Sequence, residues 1–183
     1  MNKNEEKEFA KFFISQLNNK YNFDYKIVPN DAENVKDGDV DIFALSSKHP
    51  KINLQLTTWE RLYFERSAEA SREAESTGSD FVWFRGPVLN KEKGVREAII
   101  KKENKYSQEV KKNLILLITG SLGPLLNDKY AKKIFADLSK STFKGLYSVH
   151  FPSSKENSSQ PHNGEIIAIK NVFGDNGEVW KNQ

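Results

Sequence analysis

The run LILLITG, residues 114–120, constrains this chain more than any other stretch. Leu114 to Ile118 are consecutive apolar residues with no polar position among them. Side chains of a strand alternate between its two faces, so a strand without alternation must be covered on both sides. The run has strand length and closes on a glycine. It therefore predicts the middle of a sheet with a layer packed against each face, an α/β architecture with a central mixed sheet flanked by helices.

The segments on either side fit such layers. EEKEFAKFFISQLNNKY places Phe9, Phe12, Phe13 and Leu17 on one helical face, with acids in the first turn where the helix dipole favours them. FDYKIV is a short β-prone run, and NDAENVKDGD reads as a loop. DVDIFAL alternates Val40, Ile42 and Ala44 against Asp41, Phe43 and Leu45; INLQLTTW alternates Ile52, Leu54 and Leu56 against Asn53, Gln55 and Thr57. ERLYFERSAEASREAEST reads as helix, DFVWFRGPV as a short aromatic strand or loop, and KEKGVREAIIKKENKYSQEVKKN as one long helix. After LILLITG comes an amphipathic helix carrying Leu126, Tyr130, Ile134 and Leu138. FKGLYSVHF and EIIAIKNVF are strands around a polar loop, and Asn176-Gly177 marks a hairpin.

At 183 residues the chain suits one domain spanning 1–183, with a core at about 5–120 and a C-terminal helix and strands at 121–183. It has no cysteine, which excludes disulfides, thiolate catalysis and cysteine–zinc sites. No apolar run is long enough to span a bilayer, and MNKNEEKEF has no apolar h-region. A cytoplasmic location without membrane contact is the expectation. Residues 1–90 carry a net charge of −3 and residues 91–183 a net of +6. A basic half suits a phosphate-rich partner, although lysine-rich helix faces are often simply solvated.

Several sites for chemistry are weak in this sequence. GSLGP at 120–124 lacks the spacing and lysine of a phosphate loop. His49, His150 and His162 are far apart and form no zinc-binding pair. Glu65, Glu69 and Glu73 share a helical face, where a solvated stripe is the ordinary outcome. Asp41 and Gln55 are more informative. If their strands pair as a hairpin, the two side chains approach each other. Carboxylate, amide and carbonyl oxygens together are the donors that magnesium prefers. The plain alternative is that Asp41 enters a strand facing water and Gln55 is an ordinary exposed position.

The order helix, three strands, helix, strand, with an acid at the second strand and a polar triplet in the third, resembles the restriction-endonuclease-like superfamily, the PD-(D/E)xK nucleases. Four pieces carry the resemblance: Glu6 in EEKEF, with Glu5 as competitor; Asp41 in DVDIF; the triplet Gln55-Leu56-Thr57 in INLQLTT; and the helix REAIIKKENKYS. The resemblance implies an αβββαβ core. It also implies a Mg2+ or Mn2+ ion held by Asp41, Gln55 and the Leu56 carbonyl, with Glu6 nearby. Gln55 stands where the family has an acid, and Thr57 stands where it has a lysine. Some members move that lysine to the following helix, which makes Lys102 and Lys105 the candidates here.

The resemblance implies metal-dependent phosphodiester hydrolysis, with DNA as substrate. Backbone phosphates would be met by Lys101, Lys102, Lys105, Lys111 and Lys112. Trp59, Tyr63, Phe64, Trp83 and Phe84 are stacking candidates, although clustered aromatics are more often core. Many proteins of this fold act as dimers, so a homodimer is admitted. Two other readings stay open: an inactive nuclease fold that binds nucleic acid or a partner protein, and a small interaction protein of another kind.

Overall fold

The computed structural model describes residues 3–28, 42–59, 72–73, 75–78, 91–120, 137–150 and 164–181. Asp41, Tyr63, Phe64, Glu65, Glu69, Trp83, Phe84, Leu126, Tyr130, Ile134 and His162 lie outside them.

Helix α1 (Lys3–Tyr21) carries Glu5 and Glu6 in its first turn and Lys20 in its last, each at the favoured end of the dipole. It ends at Asn22, whose φ of 54° is left-handed backbone that asparagine tolerates. The Asn18 side chain then clamps the exit. Its Nδ2 donates to the Tyr25 carbonyl at 2.8 Å, and its Oδ1 accepts from the Tyr25 N–H at 3.0 Å. This delivers the chain into β1 (Lys26–Val28).

Strands β2 (Ile42–Leu45) and β3 (Ile52–Thr58) complete an antiparallel meander with β1. Helix α2 (Lys91–Lys105) and the short α3 (Gln108–Lys111) lead into β4 (Leu114–Gly120), which runs parallel to β3. Strand β5 (Gly145–His150) is parallel to β4. Strands β6 (Glu165–Lys170) and β7 (Glu178–Lys181) follow antiparallel. The order is β1-β2-β3-β4-β5-β6-β7, one mixed seven-stranded sheet with a parallel centre.

The run that predicts a doubly covered strand is β4 itself. Its odd-numbered Ile115 and Leu117 pack with α1 through Phe13 and Leu17. Its even-numbered Leu114, Leu116 and Ile118 pack with Val95, Ile99 and Tyr106 on the other side. On β3 the same alternation sends Ile52, Leu54 and Leu56 to the α1 layer, so Gln55 lies on the α2 side with Tyr106.

The expected single helix from 91 to 113 is two. Ser107 adopts extended backbone (φ −64°, ψ 160°) and its hydroxyl accepts from the Val110 N–H at 3.3 Å, starting α3 as an N-cap. Periodicity carried through this point because serine at a cap and serine inside a helix look alike in spacing. The 176–177 hairpin signal lies at the end of a longer 171–177 connection, with Gly177 at φ 80°.

Candidate functional site

Gln55 is buried in the middle of β3, 3% exposed, among apolar neighbours. A buried amide must be hydrogen-bonded or it destabilises the fold. Its Oε1 accepts from the Tyr106 hydroxyl at 2.9 Å. Its Nε2 donates to the backbone carbonyl of Leu56 at 3.2 Å. Tyr106, itself buried, follows the last residue of α2.

Two lysines of α2 surround that tyrosine. Lys105 Nζ donates to the Tyr106 hydroxyl at 3.1 Å and lies 4.8 Å from the ring centroid. Lys102 Nζ lies 6.0 Å from the same centroid. An ammonium over an aromatic face is attracted by the ring quadrupole. The result is a chain of contacts from Lys105 through Tyr106 to Gln55, joining the polar residue of the third strand to the basic end of the helix. Thr57, two residues along β3, is half-buried beside Ile118 of β4.

The other expected site residues fall elsewhere. Glu6 is half-exposed on α1, which packs on the face of the sheet opposite Gln55. Lys101 and Lys112 are exposed. Lys111 is not: it is 8% exposed, and its ammonium donates to the Glu103 carbonyl at 3.0 Å. That contact ties α3 to α2 and differs from the solvent-facing phosphate contact expected of it. Trp59 is buried in the α2-side core, away from any stacking role. His49 packs against the Phe23 ring at 4.5 Å, and His150 ends β5.

A divalent metal needs oxygen donors and negative charge. Gln55 Oε1 and the Leu56 carbonyl are the right kind of donor, and one amide group links them. Both are neutral. Among the described residues no group of three or more His, Asp or Glu could hold a metal ion. The described pair matches a magnesium ion in donor type and supplies no negative charge.

Comparison with known proteins gives no relative. No family model matches the chain, and no curated protein or solved structure matches it. The residues themselves carry the functional argument. Among the described residues no helix is long and apolar enough to cross a membrane.

Sequence reasoning set Tyr106 on the turn of the two lysines without giving it a partner. The signal is a glutamine in the middle of a strand beside the doubly covered run, where a buried amide needs a donor from the layer above it. The sequence could not say which donor, because Gln55 and Tyr106 are brought together only by the crossover from β3 to β4.

Proposed function

We propose that this protein acts on nucleic acid as a metal-dependent, restriction-endonuclease-like nuclease, with DNA phosphodiesters as substrate. The observation that carries the reading is the Lys105–Tyr106–Gln55 chain of contacts. It puts a cation from α2 beside the strand triplet whose own third residue, Thr57, has none. The element order of α1, β1–β3, α2 and β4 is in keeping with the proposed core.

In this reading Asp41, Gln55 Oε1 and the Leu56 carbonyl hold a Mg2+ or Mn2+ ion. Asp41 precedes Ile42 in sequence, and Ile42 pairs with Leu54, the neighbour of Gln55. The ion would supply charge stabilisation of the phosphoryl oxygens and an activated water. Lys102 and Lys105 would orient that water or neutralise the developing charge, which is most effective in a site that excludes solvent. Tyr106 holds the Gln55 amide in one orientation. Exposed Lys101 and Lys112 extend the positive surface for backbone phosphates. The cysteine-free composition suits a cytoplasmic location.

A second reading has its own observation. The Gln55 oxygen is already taken by Tyr106 and the Leu56 carbonyl by Gln55, as in a site converted to a structural hydrogen-bond network. The protein would then bind nucleic acid without cutting it. Cleavage of plasmid and single-stranded DNA with Mg2+ or Mn2+, by wild type beside Asp41→Ala, separates the two. Cleavage lost in the variant supports hydrolysis. Salt-sensitive binding with no cleavage by either protein supports the second reading. Neither binding nor cleavage removes both.

A further inference from the structure

The parallel centre of the sheet gives it two unlike edges. One edge, at the N-terminal ends of β3, β4 and β5, is formed by the connections 22–25, 46–51, 106–113, 139–144 and 171–177, and all of these are described. From β1 to β5 it carries seven lysines; Lys111 is buried and Lys140 pairs with Asp137, which leaves five from separate parts of the sequence: Lys26, Lys48, Lys51, Lys112 and Lys144. All five are exposed.

The register lines them up. Lys26 pairs with Leu45, and Lys51 precedes Ile52, whose partner is Ala44. Lys26 and Lys51 therefore flank Leu45 in one row. Asn53 pairs with Leu114, so the same row continues to Lys112 on the approach to β4. Lys144 immediately precedes β5, and its N–H donates to the carbonyls of both Lys111 and Leu114 at 2.9 Å. Lys48 sits in the β2–β3 turn between these positions. Adjacent strands are about 4.8 Å apart, so β1 to β5 spans roughly 19 Å.

Among the described residues none of the five forms an ion pair. Of the acids of this stretch Asp137 is paired with cations, Arg96 and Lys140, whereas Asp24 and Glu103 accept from neutral groups. The Asp24 carboxylate accepts from the Ser46 and Ser47 hydroxyls, and Glu103 from the Ser141 hydroxyl and the Thr142 N–H. Glu109 is exposed, and Asp175 lies at the far end, between β6 and β7. Lys51 also stands 4.1 Å over the Phe43 ring, which draws its ammonium to that ring.

We propose that this lysine rim is a second nucleic-acid contact, a track for the phosphate backbone of a DNA duplex. The inference rests on the nucleic-acid reading above and not on cleavage. Lysine ammoniums are point charges that neutralise phosphates without reading bases, so the contact is independent of sequence. A row of single charges suits a line of phosphates. The one large exposed apolar side chain in it, Leu45, offers little for insertion into a lipid surface.

The test is fluorescence anisotropy of a short labelled DNA duplex in EDTA across a salt series. Wild type is compared with Lys26→Gln/Lys48→Gln/Lys112→Gln/Lys144→Gln and with Lys7→Gln/Lys11→Gln on α1, each checked for an unchanged melting curve. Each phosphate neutralised contributes a slope of about −0.9 in log K against log salt, so the rim variant loses about 3.6 units of slope and the α1 control keeps it. If the fourfold variant unfolds, Lys26→Gln/Lys144→Gln is measured instead, with a loss of about 2 units expected. Wild-type binding with an unchanged slope in a folded rim variant overturns the rim and leaves the nucleic-acid reading standing. Binding to phosphatidylserine vesicles but not to DNA, or no binding of the duplex, overturns both.

Discussion

The Tyr106 hydroxyl lies 2.9 Å from the Gln55 amide oxygen, across the gap between the end of a helix and the middle of a strand. Both residues are buried, so neither group has water as a ready substitute. Tyr106→Phe removes this buried hydrogen bond and should cost about 1–3 kcal/mol by urea unfolding. The double change Tyr106→Phe/Gln55→Leu removes both partners and should cost less per hydrogen bond lost than Tyr106→Phe alone. A Tyr106→Phe variant as stable as wild type would show that this contact is not formed in solution.

Gln55→Glu restores the acid that the resemblance leads one to expect. The new carboxylate would sit beside the Tyr106 hydroxyl, with Lys105 next to that. If Gln55 is a weakened metal ligand, this change should tighten Mn2+ binding by about tenfold or more, measured by titration calorimetry, because it adds a full negative charge. Unchanged or weaker binding would place the metal elsewhere.

Phe13 on α1 is fully buried and makes ring contacts with Tyr147 at 4.9 Å and Trp180 at 5.9 Å. It joins the helix to both the centre and the C-terminal end of the sheet. Phe13→Ala should lower unfolding free energy by about 3–5 kcal/mol. A loss below about 1 kcal/mol would mean that α1 is not docked as described.

Glycine at position 94 is set by a contact rather than by backbone strain. A Cβ there would come 2.8 Å from the Trp59 carbonyl oxygen and 3.1 Å from the Trp59 ring. In a free helix, Gly→Ala would stabilise by about 1 kcal/mol. Here Gly94→Ala should destabilise by about 1–3 kcal/mol, because Trp59 must move. The sign of the change in thermal midpoint decides between helix propensity and packing.

Glu178 links the C-terminal strand to α1. Burial pushes its pKa up, but donation from Lys20 and Trp180 and the Lys20 charge outweigh that, so it lies below its ordinary 4.5. A carboxylate held low in the folded state stabilises above its unfolded pKa and loses that contribution as pH falls through the folded value. The difference in urea midpoint between wild type and Glu178→Gln should therefore be largest near neutrality and shrink below about pH 4.5. A difference independent of pH would assign the effect to the hydrogen bonds from Tyr21 and Asn171 instead.

Sequence periodicity made the layers legible. The unbroken run at β4 demanded cover on both faces, and the alternation of β3 separated Ile52, Leu54 and Leu56 from Asn53, Gln55 and Thr57. What periodicity could not supply was long-range pairing. Lys102, Lys105 and Tyr106 are close neighbours in sequence, but their meeting with Gln55 depends on how the crossover sets α2 over β3. Lys111 shows the converse. It reads as one more surface lysine, yet the turn after Tyr106 carries it inward to the Glu103 carbonyl. Of the rim lysines only Lys112 belongs to a basic run in the sequence; the others are scattered along the chain and become its neighbours through strand register.

The central claim is that α2 supplies the cation that Thr57 does not. It is tested most directly by the rate of Mn2+-dependent plasmid nicking for wild type and for Lys102→Ala/Lys105→Ala, with folding checked by circular dichroism. The account predicts nicking by wild type and a loss of about a hundredfold or more in the double variant. Nicking at the wild-type rate by the folded double variant, or no nicking by wild type, would contradict it.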